Sequence, residues 1–215
     1  MKEFTTYSPA MLKIFEQCKK KFEYKYVKGI SIPVDTSKMQ QGKNIHALAN
    51  YYLKSYNIDK LEKALTPDEE TLWNALKNIK QFQYDYLESE YNLTSKIDKF
   101  WISGRLDALV KNNKDYYILD YKTGQIPKNP EYDYQTIIYL LMVNKLIKNY
   151  SSLNFVYIDL KNQKTTEIKF TDKLKQEYEE KLLKILKDIE KSLKLNIFSQ
   201  QKECKYCEYY KLCHY

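Results

Sequence analysis

The stretch from Gly104 to Gly124, GRLDALVKNNKDYYILDYKTG, limits the fold more than any other part of the chain. Phe100 to Val110 and Tyr116 to Lys122 read as two strands, joined by the polar turn Lys111-Asn112-Asn113-Lys114. Acids interrupt both strands: Leu106 and Leu109 flank Asp107, and Ile118 and Leu119 precede Asp120. An unpaired charge is costly in such surroundings, so these carboxylates need partners. Side chains alternate across a strand, which puts Asp120 and Lys122 on one face and Tyr121 on the other. Asp107, across the hairpin, can lie opposite them. Two carboxylates and an ammonium then converge.

Hard oxygen ligands of this kind suit Mg²⁺ or Mn²⁺. A cation held by Asp107 and Asp120 can activate water and neutralise charge on a scissile phosphate. Lys122 can orient that water, help deprotonate it or stabilise the phosphorane. A solvated salt-bridge pair on an exposed strand is the competing reading of Asp120 and Lys122.

The rest of the chain supplies a frame. At 215 residues it holds one or two domains on a prior of ~150 residues each, and 43% hydrophobic with 30% charged residues excludes a disordered chain. Ser8-Pro9 reads as a helix start, with Leu12, Phe15, Phe22 and Tyr26 at helical spacing up to Gly29 and Cys18 on that face. A second helix follows Gly42 and carries Ile45, His46, Ala49 and Tyr52. Thr66-Pro67-Asp68-Glu69 is a capping box opening a helix with Leu72, Leu76 and Ile79 that runs towards Leu87. Pro127 and Pro130 mark a loop before a helix from about Tyr132 to Leu146. Leu153 to Leu160 and Thr165 to Phe170 are two further strands, and Thr171 or Asp172 caps a long last helix from Leu174 to Ile189 and beyond. Helices interleaved with strands imply an α/β fold.

Four cysteines are present: Cys18, and then Cys204, Cys207 and Cys213 close to the end. The opening MKEFTTYSPA lacks the apolar core of a signal peptide, and the longest apolar run, Ile137 to Val143, is far short of the ~20 residues that span a bilayer. The expectation is a soluble, cytoplasmic protein that makes no membrane contact. In a reducing compartment clustered thiols bind metal more often than they pair. Zinc held locally by Cys204, Cys207, Cys213 and His214, with Cys18 as a buried thiol, is one reading.

Gly-x-x-Asp followed across a hairpin by Asp-x-Lys-Thr-Gly resembles the PD-(D/E)XK nuclease superfamily, and within it the RecB-type exonuclease branch. That resemblance implies a restriction-endonuclease-like core, a central mixed sheet flanked by helices. It also implies roles. Gln135 and Tyr139 in DYQTIIYLL match the Gln-x-x-x-Tyr motif of the next helix, where an i,i+4 pair shares one face. His46 in GKNIHALANYYL matches an upstream metal-ligand histidine, which tilts the choice towards Mn²⁺. The backbone carbonyl of Tyr121 is a further expected ligand. Glu90 is expected to begin the first core strand and assist. Cys18 with Cys204-x2-Cys207-x5-Cys213 is similar to the iron–sulfur members, the CRISPR-associated (Cas-four-type) and AddB-type nucleases, in which four thiolates hold a 4Fe–4S cluster. The chain departs from their opening motif at Lys19, where proline is common.

The expected organisation is a single nuclease domain over 1–215. It has a mainly helical part at 1–90, the core at 91–195 and a cysteine tail at 196–215 that closes onto Cys18. The expected activity is metal-dependent exonucleolytic hydrolysis of DNA, with preference for single strands or ends, in repair, recombination or CRISPR adaptation. The net charge of +8 suits a polyanion, with Lys19, Lys20, Lys21, Lys25, Arg105 and Lys128 as candidate backbone contacts. No Gly-x4-Gly-Lys-Ser/Thr loop occurs, so any unwinding would come from a helicase or CRISPR-adaptation partner. Two rival readings are a non-catalytic DNA-binding or scaffold module and a nuclease subunit of a larger helicase–nuclease complex.

Overall fold

The computed structural model describes residues 4–33, 37–200, 204 and 207–214. The helices are α1 (Pro9–Gln17), α2 (Lys19–Phe22) with a π turn over Glu23–Val27, α3 (Ser37–Leu53), α4 (Asp59–Glu62), α5 (Pro67–Lys77), α6 (Tyr134–Leu146), α7 (Asp172–Leu195) and α8 (Tyr210–His214). The strands are β1 (Asp85–Ile97), β2 (Phe100–Asn112), β3 (Asp115–Lys122), β4 (Ser152–Asp159) and β5 (Lys164–Lys169). They form one mixed sheet in the order β1-β2-β3-β4-β5. The first three strands are antiparallel neighbours, β3 and β4 are parallel, and β5 returns antiparallel to β4. The parallel step needs a crossover, and α6 supplies it. The expected α/β core with helices on its faces is present.

Two apolar cores lie on the two faces of the sheet. Strand alternation sorts β4 between them: Phe155 and Tyr157 join α1, α6 and α7, whereas Val156 and Ile158 join α3 and α5. α6 is apolar almost all round, with Thr136 to Val143 buried without a break. A helix of that kind belongs between layers, not on a surface. No helix among the described residues is long and apolar enough to cross a membrane.

Local signals account for most boundaries. Ser8 accepts from the Met11 amide and begins α1. Thr66 and Glu69 form both halves of the capping box before α5. Thr171 accepts from the Leu174 amide, which settles the cap of α7 in its favour.

Several expectations are corrected. The first helix does not run unbroken to Gly29. Its backbone is extended at Cys18 (φ −162, ψ 111), and the Cys18 Sγ accepts from the Lys21 amide as the cap of α2. α3 begins at Ser37, before Gly42. The helix opened at Thr66 stops at Lys77, and β1 already starts at Asp85, ahead of the expected core boundary. Phe82 explains the early stop. It enters the α3/α5 core against Trp73 and Tyr52, and a short 3-10 turn over Lys80–Gln83 delivers it there.

Candidate active site

The candidate site is the floor of an open groove of about 1150 Å³, walled by α3 on one side and by the segment after β3 on the other. Gly42 allows that narrow spacing. A Cβ at this position would stand 3.1 Å from Thr123 Oγ1, tighter than ordinary packing.

Strand β2 pairs with β1 at Ala108↔Ser89 and at Leu106↔Tyr91, and the ladder skips Asp107 and Glu90 between them. Glu90 has a left-handed backbone (φ 49), a strained state for a residue with a Cβ. Released from regular pairing, both carboxylates turn to His46. The ring Nδ1 is 3.2 Å from Asp107 Oδ1 and 3.6 Å from Glu90 Oε1. The other ring nitrogen donates to the Tyr121 carbonyl at 3.1 Å. Ligand atoms of His46, Glu90 and Asp107 all lie within 4.8 Å of one another, which makes them a metal-capable group among the described residues. Burial disfavours the His46 imidazolium, but the hydrogen bonds to Asp107 and Glu90 outweigh it and push its pKa up to about 10. Arg105 Nε pairs with the second Glu90 oxygen at 2.9 Å.

Asp120 sits one layer deeper. It is almost fully buried, and its pKa is raised by desolvation and by the Asp107 charge against the opposing pull of Lys122. Lys122 Nζ is 2.7 Å from Asp120 Oδ2. Gln135 bridges them: its Nε2 donates to Asp120 Oδ1 at 3.1 Å, and its Oε1 accepts from Lys122 Nζ at 3.0 Å. The ammonium also stands 5.7 Å from the centre of the Tyr157 ring. Asp107 Oδ2 meanwhile accepts from the Tyr121 amide at 2.9 Å, which stitches β2 to β3 just beyond their last ladder pair.

Gln135 and Tyr139 share a face of α6 as their spacing requires. The Tyr139 hydroxyl accepts from the Arg105 amide at 3.3 Å, and burial pushes this phenol up to about 12. The structure therefore brings together His46, Asp107, Asp120, Tyr121, Lys122, Gln135 and Tyr139. Glu90 stands mid-strand, not at a strand start, with its carboxylate beside His46.

The candidate DNA contacts divide. Arg105 lines the groove. Lys19 pairs with Asp188 at 2.6 Å, Lys20 with Glu23 at 2.6 Å and Lys21 with Glu208 at 2.8 Å, so these three bind other parts of the protein. Lys128 is exposed beyond the groove's lining residues. Two groove cations, Lys43 and Lys161, escape sequence reading because each sits in an ordinary polar stretch.

At the other end, the last residues return to the first helices. Tyr24 Oη donates to the Leu212 carbonyl at 2.9 Å, and Tyr209 Oη donates to the Ile30 carbonyl at 2.8 Å. Burial raises the Cys213 thiol pKa against a lowering hydrogen bond with Tyr24, and Cys207, Cys18 and Cys204 lie near enough to add to the rise, so the four sulfurs share one neighbourhood.

Comparison with known proteins agrees with this layout. Over 156 residues the chain is 25% identical to the CRISPR-associated exonuclease Cas4 of Francisella tularensis subsp. novicida (strain U112), an alignment covering 73% of this chain and 72% of that protein. The crystal structure of a protein from Eubacterium rectale described as an exonuclease superposes with a TM-score of 0.60 at 14% identity, covering 96% of this chain and 88% of the other, and so shares its fold. The family model of the PD-(D/E)XK nuclease superfamily matches residues 6–214. Nearly the whole length takes part in that match, and the chain belongs to the PD-(D/E)XK nuclease superfamily.

Proposed function

We propose that this protein is a divalent-metal-dependent DNA exonuclease acting on single strands or strand ends. The observation that carries the reading is the convergence of Asp107 with His46 and of Asp120 with Lys122, where His46 and Lys122 line one groove together with Lys43, Arg105 and Lys161. The similarity to a CRISPR-associated exonuclease supports it. On this reading the activity serves CRISPR adaptation or DNA repair, beside helicase or adaptation partners.

The donor set fits Mn²⁺ or Mg²⁺: two carboxylates and an imidazole within 4.8 Å of one another, with the Tyr121 carbonyl adjacent. His46, Glu90, Asp107 and the Tyr121 carbonyl would hold the ion, with Asp120 alongside. When bound, the cation would lower the pKa of water and offset phosphate charge. Lys122, anchored by Asp120 and Gln135, orients the attacking water and stabilises charge as it develops on the phosphate. Gln135 keeps the carboxylate and the ammonium in one geometry. Tyr139 secures the β2 backbone beside Asp107.

Cys18, Cys204, Cys207 and Cys213 would hold a 4Fe–4S cluster, since the four share one neighbourhood and number the usual ligands of such a cluster. Its contribution is structural, joining the tail to the first helices.

Digestion of end-labelled single- and double-stranded DNA with Mn²⁺ and Mg²⁺ tests the reading. Wild type should shorten labelled single strands, and Asp107→Ala and Lys122→Ala should not, with unchanged circular dichroism. Binding without cleavage, indifferent to Asp107→Ala, would favour a scaffold module instead.

A further inference from the structure

The wall of the catalytic groove ends at Tyr51, on the last turn of α3, a residue 44% exposed. Tyr51 meets Tyr56 edge-on, with ring centres 5.8 Å apart, and Tyr56 is 60% exposed. Backbone geometry holds this pair. α3 closes through a left-handed Ser55 (φ 59), and the Tyr56 amide donates to the Tyr51 carbonyl at 3.0 Å.

Tyr56 opens a second cleft of about 550 Å³, lined also by Tyr52, Phe82, Tyr84 and Tyr86. The two cavities share a wall. The Ser89 hydroxyl donates to Asn50 Oδ1 of the groove at 2.7 Å and stands 3.4 Å from the Tyr86 hydroxyl of the cleft. Their electrostatics differ. The groove carries Lys43 and Lys161 besides the paired Arg105 and Lys122, with Asp68 and Glu90 as its acids. In the cleft, Lys77 pairs with Glu62 at 3.1 Å, and Asp59 adds a further acid. Such a surface offers phosphate only a paired cation, and it presents the exposed Tyr56 ring with the half-buried Tyr52, Tyr84 and Tyr86 beside it.

We propose that this tyrosine cleft receives unpaired bases of a DNA strand whose scissile phosphate lies in the adjoining groove, with Tyr51 and Tyr56 as the stacking step between the two cavities. The proposal rests on the nuclease reading and adds a second nucleotide-binding site to it. Aromatic stacking tolerates any base, because every base has a π face. A duplex cannot use the cleft, because its bases are already stacked and paired. The cleft thereby favours single strands at a distance from the chemistry.

Fluorescence anisotropy with Ca²⁺ in place of Mn²⁺ tests this, using labelled thymidine oligonucleotides of about three and about twelve nucleotides and an abasic strand of the longer length. Tyr56→Ala should weaken binding of the long oligonucleotide about tenfold, the effect of one lost stacking contact. Binding of the short oligonucleotide and of the abasic strand should not change. Tyr56→Phe should bind as wild type, and because Tyr56 is exposed, the melting temperature should not move. If wild type binds and cuts the long strand but Tyr56→Ala binds it equally well, the cleft is not a base site although the nuclease reading stands. Equal affinity of wild type for the abasic and thymidine strands overturns the proposal in the same way. If wild type neither binds nor cuts any strand, both readings fall.

Discussion

The Tyr139 ring occupies the space that a side chain at residue 104 would need: a Cβ built on Gly104 collides with Tyr139 Cε1. No flexible chain end separates the two. The glycine three residues before Asp107 is therefore the seat of a tyrosine from α6. Through that seat α6 presents Gln135 to the Asp120–Lys122 pair.

Gly104→Ala should displace Tyr139, break its hydrogen bond to the Arg105 amide and cost about 1–3 kcal/mol by overpacking. Urea denaturation should show that loss, and nuclease activity should fall with it. The double variant Gly104→Ala/Tyr139→Leu, which relieves the clash, should regain much of the stability but not the activity.

Gln135→Ala should leave the fold intact, since the residue is only half-buried and lines a cavity between the start of α1 and Gly104, Arg105 and Tyr139. It removes the bridge between Asp120 and Lys122. Loss of positioning of that kind costs on the order of 100-fold in rate. The fall should appear in kcat and not in KM, measured with single-stranded DNA at saturating Mn²⁺. A change confined to KM would assign Gln135 to substrate binding instead.

His46 links the site to pH. Its folded pKa of about 10 lies above the ordinary value of 6.5, so the folded state binds this proton more tightly than the unfolded state does. Without metal, its contribution to stability is complete below pH 6.5 and disappears as pH rises through about 10. Denaturation of chelator-treated protein between these limits should show the decline, and His46→Asn should flatten it. A cation needs the neutral ring, so Mn²⁺ affinity should climb over the same interval. Calorimetry in buffers of different ionisation enthalpy should register proton release on binding. An affinity independent of pH would remove His46 from the ligand set.

Cys18 carries separable duties, as the cap of α2 and as a proposed cluster ligand. Cys18→Ser and Cys18→Ala should both yield colourless protein after anaerobic purification, where wild type is brown. The serine oxygen can still accept from the Lys21 amide, and the alanine cannot. Cys18→Ala should therefore be less stable than Cys18→Ser by about 1 kcal/mol. In both, the tail would keep its Tyr24 and Tyr209 hydrogen bonds to the first helices without the cluster and should be cut more readily, which limited proteolysis would show. Wild type that is colourless and carries zinc would end the cluster assignment.

Local chemistry made much of this legible in one dimension. A capping serine or threonine, the capping box at Thr66 and Glu69, and the period-2 pattern around Asp107 and Asp120 act within a few residues, so they can be read without knowing what lies opposite. The same is true of Gln135 and Tyr139, whose common face follows from helical spacing alone. Other features depend on apposition between distant segments. Glu90 reads as one acid among several in ESEYN, and only the skipped pairing of β1 with β2 turns it towards His46, 44 residues earlier in the numbering. Lys19, Lys20 and Lys21 read as a basic track, but Asp188, Glu23 and Glu208 take them up, and two of those partners come from the far end of the chain. The early end of α5 at Lys77 is likewise a tertiary outcome, set by where Phe82 is buried, whereas the break at Cys18 is capped locally by its own thiol. Residue chemistry and spacing along the chain are enough to say which side chains can carry charge, cap a helix or alternate across a strand. The tertiary structure decided which of those charges meet, because burial makes an unpaired charge too costly to leave and the partner is chosen by packing, not by proximity in the chain.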